Sequence, residues 1–86
     1  MSNKEKFIEA YAIALRQNSR DFPGTYVCPS DGWEGLARRM AEGFIKRTSH
    51  TSDLAIRICG KLGGRWSAEG VRAYLLQGSE FSLGAL

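Results

Sequence analysis

The sequence is poor in cysteine, proline and histidine, and it has no long apolar run. Cys28 and Cys59 are the only cysteines. Two are too few for a disulfide framework, so both are read as free thiols of a cytoplasmic protein. With His50, the only histidine, they make three soft ligands. Their spacing matches no zinc-binding unit, and no metal or cofactor is expected. The longest apolar run is AYAIAL at 10–15, far short of the roughly 20 residues that span a bilayer. The polar start MSNKEK leads into an amphipathic segment, and no signal peptide is expected. No stretch alternates as a half-buried strand would, which excludes a sheet. Repeats, heptads and low-complexity tracts are absent as well. With 86 residues, residues 1–86 form a single domain. A domain this small buries proportionally little surface, so self-association, as in a homodimer, is open to it.

What is present reads as all-α, a bundle of about four short helices. Ser2 caps the first, with Glu5 three residues on to complete a capping box. Phe7, Ile8, Tyr11 and Leu15 then form one stripe, and the helix ends near Ser19 or Arg20, ahead of FPG. In the connector 21–32, Tyr26 and Val27 are expected to dip into the core. Ser30 or Asp31 caps the second helix, whose face is Trp33, Leu36, Ala37, Met40 and Phe44. Gly35 and Gly43 lie inside it and suggest close approach of a neighbouring helix. Thr51 or Ser52 caps a third, with Asp53 in its first turn and Leu54, Ala55, Ile58, Cys59 and Leu62 facing inward. Gly63 ends it in the left-handed conformation. A fourth follows Ser67, carries Val71, Tyr74 and Leu75 on one side, and closes at Gly78. Phe81, Leu83 and Leu86 in the tail either fold back on the core or meet a partner.

Charge is unevenly placed. Between Arg38 and Arg72 eight cations face three anions, a local +5, whereas residues 1–37 and the tail each sum to −1. An anionic partner, DNA above all, fits that asymmetry.

The stretch GKLGGRWSAEGV at 60–71 has three possible meanings. A phosphate-binding P-loop requires G-x-x-x-x-G-K-[ST] after a strand, and neither spacing nor context fits. Gly60 to Gly63 reads G-x-x-G, the clamp of a K-homology RNA module, but that module requires a sheet. A helix-turn-helix-like C-terminal pair fits better. Ile58, Cys59, Leu62 and Gly63 make its first helix and turn, and Trp66, Val71 and Tyr74 pack its second helix. On that register Ser67, Arg72 and Gln77 face outward with Arg65 in the turn. Arg72 then reaches guanine or phosphate, Gln77 adenine and Ser67 phosphate, while Arg38, Arg39, Lys46 and Arg47 flank the duplex.

The segments EKFIEAYAIAL, RRMAEGF and KLGGRWSAEGVRAYL resemble a group of small phage and prophage proteins of unassigned role. Those proteins open on a similar amphipathic helix. Their C-terminal unit runs Leu-Gly-apolar, then Thr or Ser, then an apolar residue and Tyr-Leu. Here Gly64 stands where the resemblance expects an aliphatic residue. The resemblance implies no catalytic residues and a phage setting, in which such helical proteins act as DNA-binding regulators or as inhibitors of a host protein.

The residues agree that catalysis is not expected. His50 sits in a polar linker, and Asp31, Glu34 and Asp53 serve as helix-start residues. The leading expectation is a non-enzymatic DNA-binding regulator. The alternative is a protein that binds and inhibits a host defence protein, with Tyr26, Trp66, Phe81 and Leu83 as interface residues.

Overall fold

In the computed structural model, which describes residues 2–77, four helices follow in order with no strand among the described residues. They are α1 (Asn3–Asp21), α2 (Gly32–Lys46), α3 (Asp53–Lys61) and α4 (Ala68–Leu76). The all-α expectation is borne out. Gly78, Phe81, Leu83 and Leu86 lie outside the described residues.

Three of the four helices start on a serine whose hydroxyl oxygen accepts a first-turn N–H. Ser2 takes the Glu5 N–H at 3.1 Å, Ser52 that of Ala55 at 3.2 Å, and Ser67 that of Gly70 at 2.9 Å. Each satisfies one donor that the helix itself cannot. Asp31 is the N-cap residue of α2, but its side chain makes no capping bond and pairs with Arg39 instead. The capping box at Ser2 is half-formed, because the Glu5 carboxylate turns to Arg38.

α1 and α4 each touch the other three helices, while α2 and α3 scarcely meet. The core therefore gathers around α1. Phe7, Ile8, Tyr11 and Leu15 are fully or almost fully buried, with Ala37, Ala41 and Phe44 from α2, Ala55 and Cys59 from α3, and Val71, Tyr74 and Leu75 from α4. The expected stripes hold, except that Trp33, Leu36 and Met40 of α2, Leu54 and Ile58 of α3 and Leu62 at the end of α3 are only partly buried. Small Ala37 and Ala41 let α2 lie close against α1. Asn3 Nδ2 donates to the Tyr74 carbonyl at 3.1 Å, joining the start of α1 to the end of α4.

Two expectations are corrected. Tyr26 is half-buried against the core, but Val27 is 80% exposed, since the connector turns it away from the bundle. The glycines of α2 do not seat another helix. A Cβ at Gly43 would strike the Ser49 hydroxyl, and one at Gly35 the Asp31 carboxylate. Gly43 is small because the chain folds back over it as it leaves α2, with the N–H groups of Thr48 and Ser49 donating to the Gly43 carbonyl at 2.9 and 3.3 Å.

Burial pushes the Tyr11 hydroxyl up to about 12, opposed by its 3.0 Å hydrogen bond with Ser52 Oγ. Ser52 thus caps α3 and partners a buried phenol. Ser52→Ala is expected to cost about 2 kcal/mol, a cap plus part of the penalty for an unpaired buried group. Ser2→Ala, a cap alone, is expected to cost about 1 kcal/mol. Urea midpoints compare the two, and equal losses would refute the double role.

Candidate nucleic-acid interface

α3 closes on a Schellman motif. Gly63 adopts φ +104°, its N–H donates to the Gly60 carbonyl at 3.2 Å, and the Gly64 N–H donates to the Cys59 carbonyl at 2.9 Å. A Cβ at Gly64 would run into Cys59 Sγ and meet Tyr74 Cδ1 at 3.2 Å. That contact is why glycine stands where the phage resemblance expects an aliphatic residue. The segment between α3 and α4 then covers 62–67 and brings α4 back against α1 and α3.

On the outer face of α4 lies a shallow groove of about 300 Å³, lined by Arg65, Glu69, Arg72, Ala73, Leu76 and Gln77. Three of the expected DNA-contacting residues, Arg65, Arg72 and Gln77, therefore converge on one surface, over the small apolar floor of Ala73 and Leu76. Gln77 is the C-terminal cap residue of α4, its N–H donating to the Ala73 carbonyl at 3.0 Å. Its side chain is exposed.

Arg72 is not the free outward side chain that a helical wheel suggests. Its Nε donates to the Ile45 carbonyl at 2.9 Å, anchoring it on the last turn of α2. The two terminal amino groups have no other partner among the described residues, so the fork is held in place while its outer donors stay open. Ser67 is likewise not free: its oxygen already accepts the Gly70 N–H.

The expected flanking cations divide. Arg47 Nη2 pairs with Glu69 Oε2 at 3.0 Å, which brings the end of α2 to the rim of the groove. Lys46, beside it, is exposed and forms no ion pair among the described residues. Arg38 and Arg39 do not join the site. Arg38 forks onto Glu5 at 3.1 and 3.2 Å and also reaches Glu34 at 3.7 Å, and Arg39 pairs with Asp31. The Arg38 bond holds the Glu5 carboxyl below the usual carboxylate range. Lys4 does the same to Glu42. These pairs join α2 to α1 and within itself, away from α4.

Trp66 was expected to pack the second helix of the pair. It is 62% exposed, with its indole laid against Gly60, where a Cβ would overlap the ring. Of the alternative interface residues, Tyr26 is half-buried and Trp66 exposed, while Phe81 and Leu83 are outside the described residues.

The two thiols differ. Cys28 is exposed, whereas Cys59 is buried, and burial pushes its thiol up. Its sulfur lies 3.6 Å from the carbonyls of Arg65 and Gly70, fastening the turn to α4. Among the described residues no three His, Cys, Asp or Glu side chains gather as a metal site, and no helix is long and apolar enough to cross a membrane.

Sequence reading missed a second surface between α1 and α3. Ile13 and Phe22 are 65% and 62% exposed there, and Arg57 and Lys61 stand beside them. The available signal was Ile13 itself, an apolar residue off the stripe of its helix.

Comparison with protein-family models, curated proteins and solved structures gives no match.

Proposed function

We propose that the chain is a non-enzymatic DNA-binding regulator of phage type, working in the host cytoplasm, that lays the outer face of α4 on duplex DNA. The observation that carries this reading is the convergence of Arg65, Arg72 and Gln77 on one groove, with Lys46 at the adjoining end of α2. Charge supports it. Glu42 and Glu69 each sit in an ion pair, and among the described residues Lys46, Arg65 and Arg72 have no acid within salt-bridge distance. The open donors of Arg72 suit guanine or phosphate, Gln77 suits adenine, and the Ala73–Leu76 floor suits a thymine methyl. Arg65 and Lys46 take phosphates and set the register.

A labelled duplex titrated at 50 and 200 mM salt tests this. The two phosphate contacts of Arg65 and Lys46 imply about a 12-fold loss of affinity across that range. Arg72→Ala is expected to lower affinity and relax sequence preference, whereas Lys46→Ala weakens all sequences alike and flattens the salt slope by about one. Melting curves of Arg72→Ala serve as the folding control, since the variant loses its Ile45 anchor. Unchanged binding in both variants would sink the reading.

The exposure of Trp66 favours a second reading, inhibition of a host defence protein through an apolar surface. Binding of that kind survives salt and is lost in Trp66→Ala, so the same titration series separates the two.

A further inference from the structure

We propose that Glu69 is a specificity-determining residue of the α4 surface, one that demands a cytosine beside the guanine taken by Arg72. The inference rests on the DNA reading and deepens it. Among the residues lining the groove Glu69 is the single acid. A carboxylate suits the first turn of a helix, but no capping bond requires it here. Ser67 Oγ already accepts the Gly70 N–H, and the Glu69 carboxylate bonds no backbone N–H among the described residues. It crosses to α2 instead, where Arg47 Nη2 donates to its Oε2 at 3.0 Å. Three residues on, Arg72 is tied to the same end of α2 through its Nε and the Ile45 carbonyl. The two side chains do not pair with each other. The end of α2 thus holds an acceptor and a donor fork side by side on α4, with Glu69 Oε1 and the Arg72 amino groups unpartnered among the described residues.

A carboxylate accepts hydrogen bonds and cannot donate them. On a surface that meets phosphates it lowers affinity for every sequence, and a donor on a base edge is what offsets the loss. In the major groove guanine offers two acceptors, thymine one, and adenine one beside its amino group, so each sets a lone pair against a carboxylate. Cytosine offers its amino group alone. The spacing fits. Glu69 and Arg72 are separated by about 4.5 Å along the axis of α4, near the ~3.4 Å step between stacked base pairs. Arg72 and Glu69 therefore select a guanine and a neighbouring cytosine, while Arg47 holds the carboxylate in place and offsets part of its charge.

The test is selection from a duplex DNA library of random sequence, with base frequencies read in the bound pool. The parent pool is expected to carry a guanine next to a cytosine favoured about tenfold over the other bases. Glu69→Gln, whose carboxamide pairs with adenine N6 and N7, exchanges that cytosine for adenine and keeps the guanine. Glu69→Ala loses all preference at the position and binds random duplex more tightly, because an anion has left the surface. Arg47→Gly tests the positioning. Arg47 sits at φ 61°, in the left-handed region that glycine adopts freely, so the end of α2 is kept while the guanidinium goes. Its cytosine preference falls severalfold, and an unchanged preference would remove Arg47 from the proposal's mechanism. A merely structural role for Glu69 would move melting temperatures and leave base frequencies as they are. A Glu69→Gln pool identical to the parent's overturns the proposal and leaves the DNA reading standing, as does a parent pool with no cytosine beside the guanine. A parent chain that retains no duplex even at low salt overturns both.

Discussion

Phe7→Ala is expected to destabilise the protein by about 3–5 kcal/mol, the range for removing a fully buried phenylalanine. Phe7 has no exposed surface and stands at the centre of an aromatic trio. Its ring centroid is 5.1 Å from that of Tyr11 in a tilted contact and 6.4 Å from that of Phe44 edge-on, while Tyr11 and Phe44 are 6.1 Å apart. Such pairs add about 0.5–1.5 kcal/mol beyond the area they bury. The hole left behind would lie on α1, the helix through which the other three are held, so collapse around it would have to move several elements together. A chain of 86 residues has about 4–13 kcal/mol to lose. A loss of this size therefore leaves the variant partly unfolded at 37 °C or close to it. Thermal melts followed at 222 nm measure the effect. Val27→Ser, at an exposed apolar position, is the control and should stay within about 0.5 kcal/mol of the parent. If Phe7→Ala lost no more than Val27→Ser, the assignment of the core to this trio would be wrong.

What could be read from the sequence was what neighbouring residues decide among themselves. Ser2 and Ser52 are legible as caps because a cap is formed within three residues of itself. The stripe of α1 and the left-handed Gly63 follow from helical spacing and a local turn. What escaped depends on residues far apart along the chain. Arg72 points outward on a wheel of its own helix, yet the Ile45 carbonyl lies where its Nε points, 27 residues earlier. Arg38 was counted as a free cation, although Glu5, 33 residues away, holds it. Val27 was placed inside because it is apolar, but a connector has no period that would say which way a side chain faces. The candidate site shows the same division. Arg72 and Gln77 are legible as outward-facing residues of α4, while the place of Arg65 beside them and the exposure of Trp66 are consequences of the turn between α3 and α4.

That turn sets up the second large effect, in which one substitution has opposite consequences at two glycines. By helix propensity alone, Gly→Ala within a helix is favourable by about 1 kcal/mol. At Gly35 the new methyl would meet only the flexible Asp31 carboxylate, which can swing aside at the cost of its exposed pair with Arg39. Gly35→Ala is therefore expected to stay within about 1 kcal/mol of the parent or to stabilise it. Gly70 is different. It is buried in the first turn of α4, and a methyl there would overlap the Arg65 carbonyl oxygen and lie 2.8 Å from Arg65 Cβ. Those are backbone and near-backbone atoms, so the whole turn would have to move. Moving it would break the Ser67 cap, whose acceptor holds the Gly70 N–H, and part Cys59 from the Arg65 and Gly70 carbonyls. Gly70→Ala is expected to cost about 2–4 kcal/mol, overpacking plus a lost cap, against its favourable propensity. Because the same movement carries Arg65 away from Arg72 and Gln77, DNA affinity should fall in Gly70→Ala even at temperatures where the protein stays folded. In Gly35→Ala it should not change. Melting and duplex titration on the two variants decide this together. A Gly70→Ala protein as stable as its Gly35→Ala counterpart would mean that the turn does not rest on α4. A destabilised Gly70→Ala protein with full affinity would separate Arg65 from the binding surface.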